Sequence, residues 1–219
     1  LASVLRIAPL AVKDPYQLPD AFVSTAYSYS MTALNNAGAV TWIATSGLPP
    51  GMTLSSAGVL SGTPLADGYY NINFSLSDGV ETVGRSISLP VFQVRITTPG
   101  VLPNATQGVP YTATLAASGG AGGYVFTASG LPNGLVLAPD GTISGTTSSG
   151  AGPYRVSVTA TDSNLVSYNR LMSLDVIGVL PIYVSLTEGL TPSGRRSVLV
   201  QSLATAAVVA LAFLVFGPV

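Results

Sequence analysis

The sequence contains neither cysteine nor histidine, and only 8% of its 219 residues are charged. Without those two residue types the chain has no disulfide, no Ser-His-Asp or Cys-His nucleophile, no zinc finger and no iron–sulfur ligand set. Lys13 is the single lysine, and eight basic residues stand against nine acidic ones. So balanced a charge argues against a protein that binds nucleic acid.

The sequence is instead rich in glycine and proline, with 24 and 16 residues, set between short runs of β-branched side chains. This composition is typical of an all-β protein with many tight turns, and it is too apolar for a disordered chain. The first residue is Leu1, and no basic segment precedes an apolar core near it. We therefore expect a processed mature protein or one part of a longer protein.

An internal repeat organises the chain. Residues 47–63 and 130–146 share nine identical positions at a constant offset of 83, and the similarity continues on both sides. Upstream, a Leu-Pro-Asp/Asn-Ala motif precedes Tyr27 in the first copy and Tyr111 in the second. A period of about 84 residues is too long for one turn of a solenoid, and it matches one immunoglobulin-sized sandwich.

The repeat predicts strands and hairpins in both copies. Residues 70–76 and 154–160 alternate apolar and polar side chains, which is the pattern of a strand with one buried face. An Asp-led turn follows each run, and a second alternating run comes next. The side chains that we expect this second run to bury are Ile87, Leu89 and Val91 in the first copy and Met172, Leu174 and Val176 in the second. Tyr70 and Tyr154 are expected to tie their hydroxyls back to a neighbouring loop, as in Greek-key sandwiches.

The Gly-Leu-Pro-x-Gly segment that opens each repeated motif cannot be helical. Proline fixes φ, and the two glycines suit turns with positive φ. We expect Leu54 and Leu137 to fill the core beside this segment. The Ser-Gly-Thr triplets that end at Thr63 and Thr146 are predicted to form turns leading to the tyrosine strands.

On these residues the chain resembles the bacterial and phage "putative Ig" repeats, which are relatives of cadherin-like and dystroglycan-like domains. The family pattern is Gly-Leu-Pro-x-Gly-Leu, Gly-x-Ile-Ser-Gly-Thr-Pro and Tyr-x-Val-x-Val-x-Ala-x-Asp, carried here between Gly47 and Asp78 and between Gly130 and Asp162. The resemblance covers residues 18–178. It implies a non-catalytic β-sandwich that serves surface or virion proteins as a spacer, stalk or adhesive module, and it implies no ligand.

The N-terminal stretch of residues 4–9 is similar to residues 93–99, which we interpret as the closing strand of the first sandwich. The similarity predicts a strand. That strand belongs either to the first sandwich, to a preceding repeat, or to a neighbouring subunit that it joins by β-augmentation.

The C-terminal segment is strongly apolar, since no side chain from Val198 to the end is charged. As a helix at about 1.5 Å per residue, residues 198–216 are roughly 28 Å long, which is near the thickness of a bilayer core. Arg195 and Arg196 precede it, and the positive-inside rule would place the sandwiches in the cytoplasm, against the expectation for a surface repeat. Two interpretations stay open: a transmembrane helix, or an apolar helix buried in a protein assembly.

Acid–base chemistry in this chain would fall to carboxylates, because histidine is absent. Asp78, Asp140 and Asp162 lie beside turn residues, and we interpret them as stabilising those turns. Calcium is the alternative that the cadherin-like relatives imply, but no cluster such as Asp-x-Asp gathers the oxygens that it needs. We therefore predict no catalytic, cofactor-binding or metal-binding residue and no cofactor.

Aromatic side chains offer another candidate surface. Trp42 with Tyr27, Tyr29, Tyr69 and Tyr70 could line a glycan-binding face, and the structural alternative is a buried tryptophan with tyrosines at the rim.

Two further motifs are weaker. Asn73 and Asn104 fit the glycosylation sequon, which is common by chance. The glycine-rich residues 119–124 lack the lysine and helix of a phosphate-binding loop, so we interpret them as a flexible hairpin loop.

The sequence thus predicts an all-β protein with two tandem Ig-like Greek-key sandwiches and an apolar C-terminal helix. The assigned parts are an N-terminal strand or linker (1–17), the two sandwiches (18–100 and 101–178), an extended linker (179–196) and an anchoring helix (197–219).

The predicted function is a non-catalytic structural spacer that projects its sandwiches from a membrane or virion and anchors through its C-terminal helix. The alternative is a receptor- or glycan-binding adhesion module of a bacterial surface protein or phage tail. The expected partners are protein subunits, through the C-terminal helix and the N-terminal strand, and a membrane. A glycan is a weaker candidate, and nucleic acid is not expected. We expect the sandwiches outside the cytoplasm or on a virion surface.

Overall fold

A computed structural model of the protein describes residues 9–178 and, further along the chain, residues 191, 193–194, 196–197, 199–201 and 203–205. Residues 9–178 form eighteen strands, nine in each copy of the repeat. The strands of the first copy are β1 (Ala11–Val12), β2 (Ala21–Phe22), β3 (Tyr27–Ser30), β4 (Ala33–Leu34), β5 (Thr41–Ser46), β6 (Met52–Leu54), β7 (Val59–Gly62), β8 (Gly68–Ser77) and β9 (Thr82–Phe92). Those of the second copy are β10 (Val94–Ile96), β11 (Ala105–Thr106), β12 (Pro110–Thr114), β13 (Ala117–Gly119), β14 (Val125–Ser129), β15 (Leu135–Leu137), β16 (Thr142–Thr146), β17 (Gly152–Thr161) and β18 (Ser167–Ile177).

The two copies share one sheet topology. In the first, a four-stranded sheet of order β2-β9-β8-β5 faces a three-stranded sheet of order β3-β7-β6, and β1 pairs with β4. In the second, the orders are β11-β18-β17-β14 and β12-β16-β15, and β10 pairs with β13. Each strand of the first copy therefore has its counterpart nine strands later. The predicted pair of tandem all-β sandwiches is confirmed.

The long central hairpin supplies much of each core. In β8 the buried side chains are Ile72, Phe74 and Leu76, at the alternate positions that the sequence pattern predicts. Their counterparts in β17 are equally buried, and so are the six predicted side chains of β9 and β18: Ile87, Leu89, Val91, Met172, Leu174 and Val176. Period-two alternation identifies these strands because one face packs on the core and the other meets solvent.

The repeated motif differs from expectation in two details. Met52 and Leu135 are buried, whereas Leu54 and Leu137, which we expected to fill the cores, are only partly buried beside them. The Ser-Gly-Thr triplets are not turns, because they lie in or directly after β7 and within β16 and pair across to β3 and β12. Met52 and Leu135 are buried because β6 and β15 begin directly after the turn, so the first residue of each strand already faces the core.

The glycines of this motif allow two backbone segments to touch. A Cβ on Gly62, where φ is +140°, would lie 2.2 Å from the carbonyl oxygen of Gly51. A Cβ on Gly145 would lie 2.0 Å from the carbonyl oxygen of Gly134. Both crossings are closed by a backbone hydrogen bond, from Thr63 to Gly51 and from Thr146 to Gly134. Only glycine fits so close an approach.

The boundary between the copies lies earlier than the sequence assignment placed it. We assigned residues up to 100 to the first sandwich and interpreted 93–99 as its closing strand. In the structure β10 pairs with β13, and Val94 and Ile96 lie in the core of the second sandwich. By this register residues 10–16, and not 4–9, are the counterpart of residues 94–100. Leu10, in the segment assigned as an N-terminal strand or linker (1–17), is buried in the first core, so part of that segment packs on the first sandwich.

The C-terminal segment is described only in part. Residues 193–194, 196–197, 199–201 and 203–205 are helical. None of the helices in the described part of the chain has the length and apolar character needed to cross a membrane. Most of the predicted linker (179–196) and the greater part of the predicted apolar helix (197–219) lie outside the described residues.

Candidate functional site: the junction between the two sandwiches

The buried carboxylate of Asp162 holds two loops of the second sandwich together. Its Oδ1 accepts backbone hydrogen bonds from Asn164 and Val166, at 2.9 Å each, and its Oδ2 accepts one of 2.8 Å from Ala121. These bonds, above all the one from Ala121, hold the pKa of Asp162 below its usual range, although burial acts in the opposite direction. Asp162 is therefore a structural anchor of the β17–β18 turn.

The other two carboxylates that we assigned to turns also accept backbone hydrogen bonds, but only Asp78 is buried like Asp162. Asp78 Oδ1 accepts from the backbone of Val80 and Glu81, and its Oδ2 accepts from Ala37 at 2.7 Å. Asp140 accepts from the backbone of Thr142 at 2.9 Å. In the described part of the chain, no group of three acidic residues is placed to hold a metal ion.

Four tyrosines tie their hydroxyls to backbone carbonyls in equivalent places. As predicted, the Tyr154 hydroxyl donates to Gly150 at 2.9 Å and the Tyr70 hydroxyl to Ala66 at 3.3 Å. The pair that the sequence reading missed is Tyr27 and Tyr111, whose hydroxyls donate to the prolines of the Leu-Pro-Asp/Asn-Ala motifs, Pro19 and Pro103. Burial raises the pKa of Tyr27 to about 12. The signal was present, because motif and tyrosine recur together in both copies.

One arginine in each copy clamps the first strand, and sequence reasoning did not find it. Arg85 donates to the carbonyls of Val12 and Asp14, at 2.7 and 2.6 Å. Arg170 donates to the carbonyls of Ile96 and Thr98, at 3.2 and 2.8 Å. The matching positions of these two arginines in the aligned copies were the available signal.

The aromatic residues proposed for a glycan face differ in exposure and in their partners. Trp42 is 4% exposed and packs on Phe74 with ring centroids 5.5 Å apart. Tyr29 donates to Asp14, and this hydrogen bond raises its pKa. Tyr69 is 76% exposed and lies against Phe92 at the end of the sandwich.

The two sequon asparagines differ in their surroundings. Asn73 lies within β8 and its side chain hydrogen-bonds to Ser46 and Ser86, whereas Asn104 is exposed before β11.

The junction between the sandwiches brings together residues that no sequence motif marked. Gln93 alone separates β9 from β10. Phe22 and Phe92, which lie beside each other in the β2·β9 pairing of the first sandwich, pack against the core of the second. The ring of Tyr168, from β18, contacts both, with centroids 5.2 Å from Phe22 and 5.0 Å from Phe92. The Phe22 contact is edge-on at 81°, a favoured geometry for aromatic pairs.

A partly buried hydrogen bond accompanies this aromatic cluster. Tyr168 is 8% exposed, and its hydroxyl donates a 2.8 Å hydrogen bond to Oδ2 of Asp20 in the first sandwich. Burial, followed by the bond to Asp20, raises the pKa of Tyr168 far above its ordinary value, so the hydroxyl keeps its proton. The guanidinium of Arg95 lies 5.2 Å from the centroid of Phe22. Two rings, a phenol, a carboxylate and a guanidinium therefore meet at one point.

A cleft of about 460 Å³ with a mixed polar and apolar lining opens beside the cluster. Asp67 and Gln93 on its first-sandwich side are joined by a 2.9 Å hydrogen bond. Its second-sandwich side includes Gly120 and Ala121, from the glycine-rich loop that we interpreted as flexible. Backbone hydrogen bonds from Ala121 to Asp162 and from Ser163 to Gly122 hold this loop.

The fold and this junction define a class: a tandem pair of Ig-like β-sandwiches in direct contact. The sequence profile of the family described as "Putative Ig domain" matches residues 9–92 and 93–177. The chain belongs to this family, as the repeated motif predicted. No protein of curated function matches it.

Several solved structures are similar to parts of this chain, each with a TM-score below 0.5. Human protocadherin-24 EC1-2 is 13% identical over 78% of this chain and 98% of its own, with a TM-score of 0.34. Drosophila N-cadherin EC1-3 is 13% identical over 80% of this chain and 69% of its own, with a TM-score of 0.37. A "putative alpha-galactosidase" of Bacteroides fragilis is 25% identical over 39% of this chain, with a TM-score of 0.35, and this chain covers only 18% of that enzyme.

Proposed function

We propose that this protein is a non-catalytic structural spacer, whose two sandwiches project as one unit from a membrane or virion surface outside the cytoplasm. The observation that best supports this function is the direct packing of one sandwich on the other across a single connecting residue, Gln93. A projecting module has to keep its length under thermal motion, and a connection of one residue with a buried contact restricts that motion.

The attachment point in this proposal is the apolar C-terminal segment, which anchors the spacer in lipid or in a protein assembly. Its uncharged sequence from Val198 onward supports this role. A stretch of this kind exposed on a soluble monomer would aggregate, so it is expected to dock on a companion surface.

Membrane fractionation tests the anchor. We compare the full-length chain with a chain that ends at Arg196 and with full-length Val208→Arg, which keeps the length but places a charge in the apolar stretch. The full-length chain is expected with the membrane or in large assemblies, and the truncated chain in the aqueous phase. Val208→Arg should shift towards the aqueous phase. Recovery of all three as the same monodisperse aqueous species would contradict the proposal.

A receptor- or glycan-binding adhesion module is the second candidate. Tyr16 and Tyr69 favour it, because each is 76% exposed and offers an aromatic face to a ligand. Binding to a glycan array that is lost in Tyr16→Ala or Tyr69→Ala, with Tyr124→Ala as a control, would favour this function over a plain spacer.

A further inference from the structure

The junction is built from residues that the repeat does not repeat. The strand register aligns Phe22 with Thr106 and Phe92 with Ile177. Phe22 pairs with Phe92 in β2·β9, and Thr106 pairs with Ile177 at the same place in β11·β18. Asp20, two residues before Phe22, aligns in the same way with Asn104. The far end of the second sandwich therefore lacks both rings and the carboxylate.

The receiving side differs between the copies in the same way. Tyr168 aligns with Val83, since Tyr168 pairs with Ala160 where Val83 pairs with Leu76. Arg95 in β10 aligns with Ala11 in β1. The base of the first sandwich thus lacks the tyrosine and the arginine, although its fold is the same. The shared fold needs none of the five residues.

We infer that Phe22, Phe92 and Asp20 of the first sandwich form an interaction surface for Tyr168 and Arg95 of the second, and that this surface fixes the two sandwiches in one orientation without a bound ion. The surface is specific for the first sandwich followed by the second. The far end of the second sandwich lacks the two phenylalanines and the aspartate, and the base of the first lacks the tyrosine and the arginine. The partner that it fits is a sandwich with a buried tyrosine and an arginine at its base.

The chemistry of the contact supports a defined orientation. Edge-to-face rings and a hydrogen bond depend on angle as well as distance, unlike a patch of aliphatic side chains. If the two sandwiches turned against each other, the Tyr168 hydroxyl would leave Asp20, and both groups would lose a partner in a partly buried place.

Spin-label distance measurements on the full-length chain in detergent test the inference. The sequence contains no cysteine, so Thr53→Cys and Val136→Cys, at aligned exposed positions of the two sandwiches, provide two unique labels. The parent chain is expected to give one narrow distance distribution. Added calcium and excess EDTA should leave it unchanged.

Two variants exchange a junction residue for the one found at its aligned position, which the same fold already accommodates. Phe92→Ile and Tyr168→Val should broaden the distribution about twofold or more, towards that of a free linker. Tyr168→Phe, which keeps the ring and loses only the hydroxyl, should broaden it less. Ile177→Val at the far end is the matched control and should change nothing. Retained sheet content and amide spectra show that each variant remains folded.

A broad distribution in the parent chain, narrowing only when calcium is added, or a Phe92→Ile and Tyr168→Phe pair indistinguishable from the parent would overturn the inference. The inference deepens the proposed spacer function and rests on it, because a fixed orientation of the two sandwiches matters for a projecting spacer. The two can fail separately, because the distance measurement does not depend on where the C-terminal segment binds and the fractionation does not depend on the junction.

Discussion

The two sandwiches agree in their interiors and differ at their ends. Both use a carboxylate to hold the central turn, tyrosines to hold loops, and an arginine to clamp the first strand. The surroundings of that arginine already differ, since Arg85 lies 4.4 Å from the ring centroid of Tyr16, where the second copy has Gly100 beside Arg170. What recurs in both copies serves the fold, and what appears once is a candidate for the individual role of each sandwich.

The largest expected effect comes from a change to a feature that both copies share, the close crossing of two backbone segments at a glycine. Gly145→Ala would place a Cβ 2.0 Å from the Gly134 carbonyl oxygen at a positive φ. We expect it to lower the free energy of unfolding of the second sandwich by about 3–4 kcal/mol. Gly122→Ala is the control: φ is also positive but nothing lies within 4 Å, so the expected loss is about 1 kcal/mol. Equal losses in chemical denaturation would contradict the role of the close crossing.

The second largest loss of stability is expected from removing the arginine clamps. Arg85→Ala and Arg170→Ala each remove two charged hydrogen bonds, and each should cost its own sandwich about 2 kcal/mol. Lysine sharpens the comparison. Arg170 reaches both carbonyls from one nitrogen, whereas Arg85 uses two. Arg170→Lys should therefore recover part of the stability and Arg85→Lys much less. Denaturation curves that show equal recovery would remove this difference between the copies.

The tyrosine ties should separate the copies by a smaller amount. Tyr154→Phe loses a hydrogen bond of 2.9 Å and should destabilise the second sandwich by about 1 kcal/mol. Tyr70→Phe loses only bonds of 3.3 and 3.4 Å and should cost a few tenths of a kcal/mol. Thermal unfolding of the two variants measures the difference, and a larger loss for Tyr70→Phe would show that bond length does not rank these ties.

The smallest expected effect is a change in how stability depends on pH. Backbone hydrogen bonds depress the pKa of Asp162 in the folded chain, so the unfolded chain takes up a proton first as the pH falls. The stabilisation by Asp162 is full above the ordinary aspartate pKa of about 4 and is lost as the pH falls through the lower folded value. Asp162→Asn should be less stable at neutral pH and show a flatter decline below about pH 4. Parallel pH profiles for both proteins would contradict this assignment.

The long strands and the turn carboxylates were predictable because they are local or periodic features. Alternation in β8 and β17 shows directly which face is buried, and an aspartate before glycine or serine indicates a turn. We expected Leu54 to fill the first core, whereas Met52 does so, and this error has a physical origin. Both positions point to the same side of a strand, and the sequence does not show which of two inward residues lies deeper.

The junction was not predictable by such patterns. Tyr168 and Asp20 are 148 positions apart. Tyr168 belongs to no motif, and the Leu-Pro-Asp/Asn-Ala motif that contains Asp20 does not indicate a contact with the second sandwich. Their contact depends on how one folded sandwich rests on another, which strand periodicity does not encode. A signal existed only in the mismatches between the aligned copies, such as Phe22 against Thr106, and the sequence reading followed the matches. The boundary at residue 100 was placed too late for a related reason, because the end of β9 and the start of β10 are almost continuous.

That near-continuity has a consequence for protease resistance. A protease must draw several residues of extended chain into its active site, and between these sandwiches only Gln93 lies outside a strand. Limited digestion is therefore expected to release no single sandwich as a stable fragment. In the proposed role as a spacer, a connection that proteases cannot cut would keep the two sandwiches together until the whole molecule is degraded.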